Sequence, residues 1–240
     1  MPFAIFDIET RVDKALVRAV LHRGESIGEE EAYEETRAQV AARSRSGSDF
    51  FPVPFHVPVS IVVGTVDDER VLTVVEVLGG DARGEAEIVR EFWARLERFR
   101  GTLVSFNGRR FDLPVLELGA LRHECVIPNY FEGNYRRRFS DEAHLDLFDF
   151  LSNFGACPLK GGFHLLAQLI GLPGKTEVDG GAVQALWEAG RLRDIEAYCR
   201  RDVIQTYFLF LRLELMRGRI SAEQHAAALA ATAAFRAEVG

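Results

Sequence analysis

Phe3-Ala4-Ile5-Phe6-Asp7-Ile8-Glu9-Thr10 is the stretch on which the fold turns. From Phe3 to Ile8 it is apolar on both faces apart from its acids, the pattern of a central strand in a sheet covered by helices on either side. In a strand the side chains of Asp7 and Glu9, two residues apart, share one face. Carboxylates held that close repel each other unless a cation offsets their charge. A strand that is apolar at its start and doubly acidic at its end therefore reads as one running from a core into a metal site.

The rest of the chain supplies neighbours for that strand. Two runs of branched apolar residues, Val57 to Gly64 and Val71 to Leu78, flank the turn-prone Val66-Asp67-Asp68-Glu69 and predict a hairpin. Gly79-Gly80-Asp81 breaks that pattern. Ile88, Val89, Phe92 and Leu96 recur at helical spacing, so Ala86 to Phe99 is expected to lie as a helix on the sheet. Thr102 to Phe106 reads as a short strand, Asn107-Gly108 as a turn, and Asp112 to Leu121 as a helix. His144 to Leu147 predicts another short strand and Phe148 to Phe154 a short helix. Phe163 to Ile170 and Ala182 to Ala189 fit two more.

Ile195, Cys199, Val203, Tyr207 and Phe210 mark Leu192 to Met216 as a long helix, and Ser221 to Gln224 resembles a capping box before an alanine-rich helical tail. Ala15 to Leu21 fits helix and strand equally. Gly24 to Asp49 carries six glutamates between Glu25 and Glu35, then Arg-Ser-Arg-Ser-Gly-Ser, and reads as a solvated helix or mobile insertion. Three or four strands with helical crossovers define an α/β fold, a mixed sheet with helices on both faces. The hairpin supplies antiparallel neighbours, and the strand before Asn107, arriving after a helix, can run parallel to the first. The expected organisation is one domain over 1–217 with a polar insertion near 24–50, followed by a helical extension over 218–240.

Composition narrows the class less than the motifs do. With 29 basic and 36 acidic residues in 240, the net charge of −7 excludes a broadly basic packaging protein, but not a nuclease whose acids are offset by divalent ions. Cys125, Cys157 and Cys199 form neither a disulfide framework nor a zinc pattern, so a reducing compartment is expected. The first twenty residues mix apolar residues with Asp7, Glu9, Arg11, Asp13, Lys14 and Arg18, which argues against a signal peptide and a membrane span. Cytoplasm is the expected location, with no membrane partner. No interface signature predicts an oligomeric state.

The candidate chemistry is phosphodiester hydrolysis. In-line attack needs an oriented water and compensation of charge at the attacking and leaving oxygens, tasks suited to two divalent ions about 4 Å apart. Asp and Glu are hard oxygen ligands suited to Mg²⁺ or Mn²⁺. Tyr198 and Asp202, four apart on the long helix, project from nearly one face. The expected metal ligands are Asp7 bridging both ions, Glu9 and Asp202 on the ion that activates water, and Asp112 on the second. Tyr198 orients the water; with an ordinary pKa of about 10 it is no unaided base.

These residues carry a resemblance. Asp7-Ile-Glu9, Asn107 through Phe111-Asp112, and Tyr198-Cys-Arg-Arg-Asp202 resemble the three motifs of the DEDD 3′–5′ exonuclease superfamily, and the tyrosine resembles its DEDDy branch. The histidine branch would place histidine at position 197, which is alanine here. The fuller strings Phe6 to Thr10, Ser105 to Asp112 and Gly171 to Lys175 are similar to standalone proteins related to the proofreading domain of family B DNA polymerases, over roughly Phe3 to Leu215. The resemblance implies a ribonuclease H-like fold and release of 5′-mononucleotides from a DNA 3′ end, single-stranded or frayed, with RNA possible. It makes Asp7, Glu9, Asp112, Tyr198 and Asp202 the expected catalytic set, and Thr10, Asn107, Arg109, Arg110 and Lys175 the expected substrate contacts. The length is expected to leave the motif-bearing core without a polymerase domain.

Plainer readings stand beside several of these residues. Asn107-Gly108 forms a turn whether or not Asn107 meets substrate. Phe106 and Phe111 read as core or wedge-supporting residues before base-stacking platforms. Arg136-Arg137-Arg138 reads as a solvated turn before a phosphate patch, and Lys175 lacks the glycines of a P-loop. His144 and His164 read as structural, and Asp146 and Asp149 as candidates for a supporting polar role. The competing functions are an RNA-directed exonuclease, an endonuclease, and a catalytically silent nucleic-acid-binding module.

Overall fold

The computed structural model describes residues 1–78, 84–174 and 181–240, so the expectations for Gly79-Gly80-Asp81 and for Lys175 lie outside the described residues. The first strand, β1 (Phe3–Val12), runs past its apolar start. Asp13 then ends it and caps α1 (Lys14–Leu21), its carboxylate accepting from the Leu16 N–H at 3.0 Å. That cap decides for helix the segment whose periodicity fits either state.

The polar insertion holds α2 (Glu29–Arg43), a solvated helix whose first turn of three glutamates complements the helix dipole. It buries only Ala32, Tyr33 and Thr36. A 3₁₀ turn over Val53–Phe55 leads into β2 (His56–Val66), followed by β3 (Leu72–Val77), α3 (Glu85–Arg98), β4 (Thr102–Ser105) and α4 (Asp112–Arg122). After α5 (Pro128–Glu132) come β5 (His144–Asp146), α6 (Leu147–Leu151), α7 (Gly162–Leu169), α8 (Val183–Glu188) and α9 (Leu192–Met216). The tail is two helices, α10 (Ala222–Ala231) and α11 (Ala233–Val239). Ser221 and Gln224 form the expected capping box. The tail breaks at Thr232, whose hydroxyl donates back to the Ala228 carbonyl at 2.7 Å.

Among the described residues the sheet has five strands rather than three or four, in the order β3-β2-β1-β4-β5. β2 pairs antiparallel with β1 and β3, while β1, β4 and β5 run parallel. One face packs Phe3, Ile5, Val104 and Leu145 against apolar residues of α7 and α9, and the other packs Phe6, Ile8 and Leu103 against α3 and α4. The fold is therefore the mixed α/β sheet covered on both faces. α10 and α11 add Ala228 and Val239 to the α9 side, and an Arg200–Glu238 ion pair joins α9 to α11. No helix among the described residues is long and apolar enough to cross a membrane.

Two irregularities shape the end of β1. Its register with β2 shifts between Glu9 and Thr10, where Glu9 faces Ser60 and Thr10 faces Pro58. Proline has no N–H to give a ladder, so a shift beside it is the arrangement its chemistry permits. On the other edge, β4 pairs with β1 only from Phe3 to Ile5. The acidic end of β1 thus projects beyond its parallel neighbour, opening a notch at the carboxyl ends of the strands, where open α/β sheets take their ligands.

Candidate active site

Alternation along β1 puts Asp7 and Glu9 on the same face as Phe3 and Ile5, the face covered by α9. From α9, Tyr198 and Asp202 project four residues apart toward them. The Cys199 thiol lies 3.5 Å from Asp7 Oδ2 and 3.4 Å from the Asp7 carbonyl oxygen, its single S–H shared between them. Ligand atoms of Asp7, Glu9 and Cys199 all lie within 4.8 Å of one another. Asp112, the first residue of α4, enters through the notch: its Oδ1 accepts the Ile8 N–H at 3.2 Å, beyond the last residue that β4 pairs.

Asp7, Glu9, Asp112, Tyr198 and Asp202 all line one cleft of about 620 Å³. Three stretches separated by about a hundred residues each are thus brought to one surface, with Glu9, Asp112 and Asp202 buried. Such an oxygen-rich donor set suits hard divalent cations. Burial, then the charges of Asp202, Glu9 and Asp7, push the Tyr198 phenol well above its ordinary range, making it a donor. Burial and the charges of Asp7, Glu9 and Asp202 push the Cys199 thiol up, so without a cation it is a protonated donor.

The turn that delivers Asp112 has its own scaffold. Asn107 takes a left-handed φ of 64°, as Asn tolerates, and Gly108 passes so close that a Cβ there would lie 2.4 Å from Ser105 Oγ. Asp146, at the end of β5, holds the turn: its Oδ1 accepts from the Asn107 N–H and its Oδ2 from the Arg109 N–H, both at 2.9 Å. The same carboxylate caps α6 through the N–H groups of Phe148 and Asp149 at 3.0 and 3.2 Å. Burial nevertheless pushes the Asp146 pKa up.

The expected substrate contacts separate on inspection. Asn107 and exposed Arg110 line the cleft. The Arg109 guanidinium instead donates to the carbonyl oxygens of Tyr135 at 2.9 Å and His144 at 3.2 Å, a half-buried brace behind the turn. Thr10 Oγ1 is engaged by His56 Nδ1 at 2.8 Å. His56 Nε2 donates to the Phe51 carbonyl at 3.1 Å, which leaves Nδ1 to accept from Thr10. Arg138, read above as part of a solvated turn, forms a two-pronged pair with buried Asp149 at 2.9 and 2.7 Å. Arg136 lies over the Phe131 ring.

Sequence reasoning missed two features of the site: Cys199, taken only for the apolar face of α9, and Phe50, which lines the cleft from the edge of the polar insertion. The first was signalled by its place next to Tyr198. The second carried no signal in its own surroundings.

Fold and cleft together define a nuclease-like α/β domain with an acidic cleft at the carboxyl ends of its parallel strands. Residues 48–238 match the family described as "Predicted 3'-5' exonuclease related to the exonuclease domain of PolB", and the chain belongs to that family. The match contains the Asn107–Asp112 turn and the Tyr198–Asp202 pair. Asp7 and Glu9 precede it, on a strand that pairs with β2 and β4 inside it. No curated protein matches the chain.

Proposed function

We propose that this chain removes 5′-mononucleotides stepwise from a DNA 3′ end, single-stranded or frayed, as a two-metal exonuclease of the DEDDy type. The carrying observation is the convergence of Asp7, Glu9, Asp112, Tyr198 and Asp202 on one cleft from β1, the start of α4 and α9. Asp7, Glu9, Asp112 and Asp202 would hold two Mg²⁺ or Mn²⁺ ions. Such ions, when bound, offset charge on the attacking and leaving oxygens. Tyr198 donates a hydrogen bond that orients the attacking water, and Cys199 fixes the rotamer of Asp7 by donating to its carboxylate. Asn107 and Arg110 contact the substrate backbone, the latter with a guanidinium fork that matches a phosphate. The preference for DNA comes from the polymerase-related family.

Digestion of matched 5′-labelled DNA and RNA, with free or blocked 3′ ends and with or without Mg²⁺ or Mn²⁺, tests this directly. The expected result is a metal-dependent ladder from free 3′ ends, faster on DNA and absent when the end is blocked. Cleavage within blocked strands would make the protein an endonuclease. Tight binding without shortening would make it a silent module.

A further inference from the structure

We propose that Phe50 is the stacking surface for the 3′-terminal nucleobase, so that the polar insertion leading to it works as a selector for unstacked ends. The assignment rests on the exonuclease reading above and deepens it. Phe50 is 55% exposed, whereas Phe51 and Phe55 beside it are buried in a small core with Tyr33 and Val17. Its ring lines the same cleft as Asp7 and Asp202.

The ring is exposed yet held in place. It stacks on the His56 imidazole with centroids 4.7 Å apart and planes 24° apart, and meets Phe111 at 5.2 Å. His56 is pinned by Thr10 and the Phe51 carbonyl, and Phe111 packs edge-on against it at 5.0 Å. Beneath, Tyr33 of α2 stacks on Phe51 at 5.2 Å with planes 5° apart. Lys14 ties α1 to Glu30 of α2 and to Glu188 of α8. One face of Phe50 is thus backed by a rigid assembly while more than half the residue stays open to solvent, an aromatic platform of the kind on which single-stranded bases stack. A paired terminal base is already stacked on its neighbour and must be freed before it can use that platform, so the contact favours single-stranded or frayed ends. The same cleft also carries Phe106, packed against Phe148 and Phe163, which adds apolar surface around the base. The expected preference is for an unpaired base of any identity.

The test compares wild type, Phe50→Ala and Phe50→Trp on single-stranded oligonucleotides ending in an ordinary or an abasic 3′ nucleotide, and on a blunt duplex. Stacking removed by alanine should lower kcat/KM by about fivefold to a hundredfold, mainly through KM, with Phe50→Trp close to wild type. The abasic end should lower wild-type kcat/KM by a similar factor and leave Phe50→Ala nearly unaffected. Phe50→Ala should also narrow the preference for single strand over duplex. Matching thermal melts confirm that the exposed truncation leaves the fold intact. If wild type trims free 3′ ends and Phe50→Ala trims base-bearing and abasic ends with wild-type parameters, the stacking assignment falls and the nuclease reading stands. If wild type trims no end with either metal, both fall.

Discussion

Asp7, Glu9, Asp112 and Asp202 line an open cleft, whereas Asp146 and Asp149, behind the same Asn107–Asp112 turn, are taken up by protein partners. Asp146 accepts four backbone N–H bonds, and Asp149 accepts both prongs of Arg138. Each group combines acids from the end of a parallel strand, Asp7 and Glu9 of β1 or Asp146 of β5, with acids from helices, and both are largely buried. Acidity and burial therefore do not distinguish a metal site from a scaffold. The distinction lies in the company each carboxylate keeps: the first group shares one cleft of about 620 Å³ with Tyr198, while the second gathers four backbone amides and a guanidinium fork. The two groups should respond to substitution with opposite signs.

The largest expected effect is on the cleft side. Asp202→Ala should lower turnover by about a thousandfold or more, equivalent to about 4 kcal/mol of transition-state stabilisation. In chelator its melting temperature should be unchanged or raised, because one member of a repelling set is gone. Steady-state digestion with parallel thermal melts in EDTA reads both. A variant that loses activity only in step with its stability would place Asp202 among the scaffold acids and erase the contrast.

Asp146→Ala should do the reverse. It strips an N-cap from α6 and leaves the amides of Asn107 and Arg109 without their acceptor, destabilising the fold by about 2–4 kcal/mol. Urea denaturation should show the midpoint falling equally with and without Mg²⁺. The turn carrying Asp112 loosens too, so activity falls as a consequence of the structure. A variant of wild-type stability that no longer responds to metal would move Asp146 into the cleft group.

This contrast marks what the sequence made legible. β1 and α9 are long and strongly periodic, and the spacings of two and four pair Asp7 with Glu9 and Tyr198 with Asp202 from pattern alone, whereas the meeting of the two pairs was implied by the motif resemblance. The scaffold could not. Asp146 ends a three-residue strand and caps the next helix, and two of its four donors lie 37 and 39 residues away. Arg109 sits beside Arg110 in sequence, but its acceptors are carbonyls 26 and 35 residues on, a pairing with no local trace. Phe50 was hidden differently: a single aromatic at the end of a glutamate- and serine-rich run has no periodicity, and at the cleft it packs on His56 and Phe111, which are 6 and 61 residues away. Local patterns report elements, while long-range polar pairing reports which acids are spoken for.

The smallest expected effect tests whether the scaffold side titrates independently of the metal side. His144, buried next to Arg109 and sharing a 2.8 Å hydrogen bond with Ser105, is pushed down to about 3 by burial first and the Arg109 charge second. Its unfolded value is about 6.5, so over that interval the unfolded chain binds the proton and the folded chain does not. The stability that neutral His144 confers is complete above the unfolded value and is lost as pH falls toward the folded one, at up to about 1.4 kcal/mol per pH unit. Buried His56 is also depressed and acts in the same direction, while Asp146, raised by burial, acts in the opposite one. The whole-protein slope therefore mixes these groups with others, among them His225, also depressed by burial, and the difference between wild type and His144→Gln isolates one. Urea midpoints at pH 7.5, 6 and 5 should fall more steeply for wild type than for His144→Gln, by the same margin in Mg²⁺ and in EDTA. Equal slopes would mean that the imidazole is protonated in the fold, and a margin that changed with metal would join the two groups of acids into one coupled site.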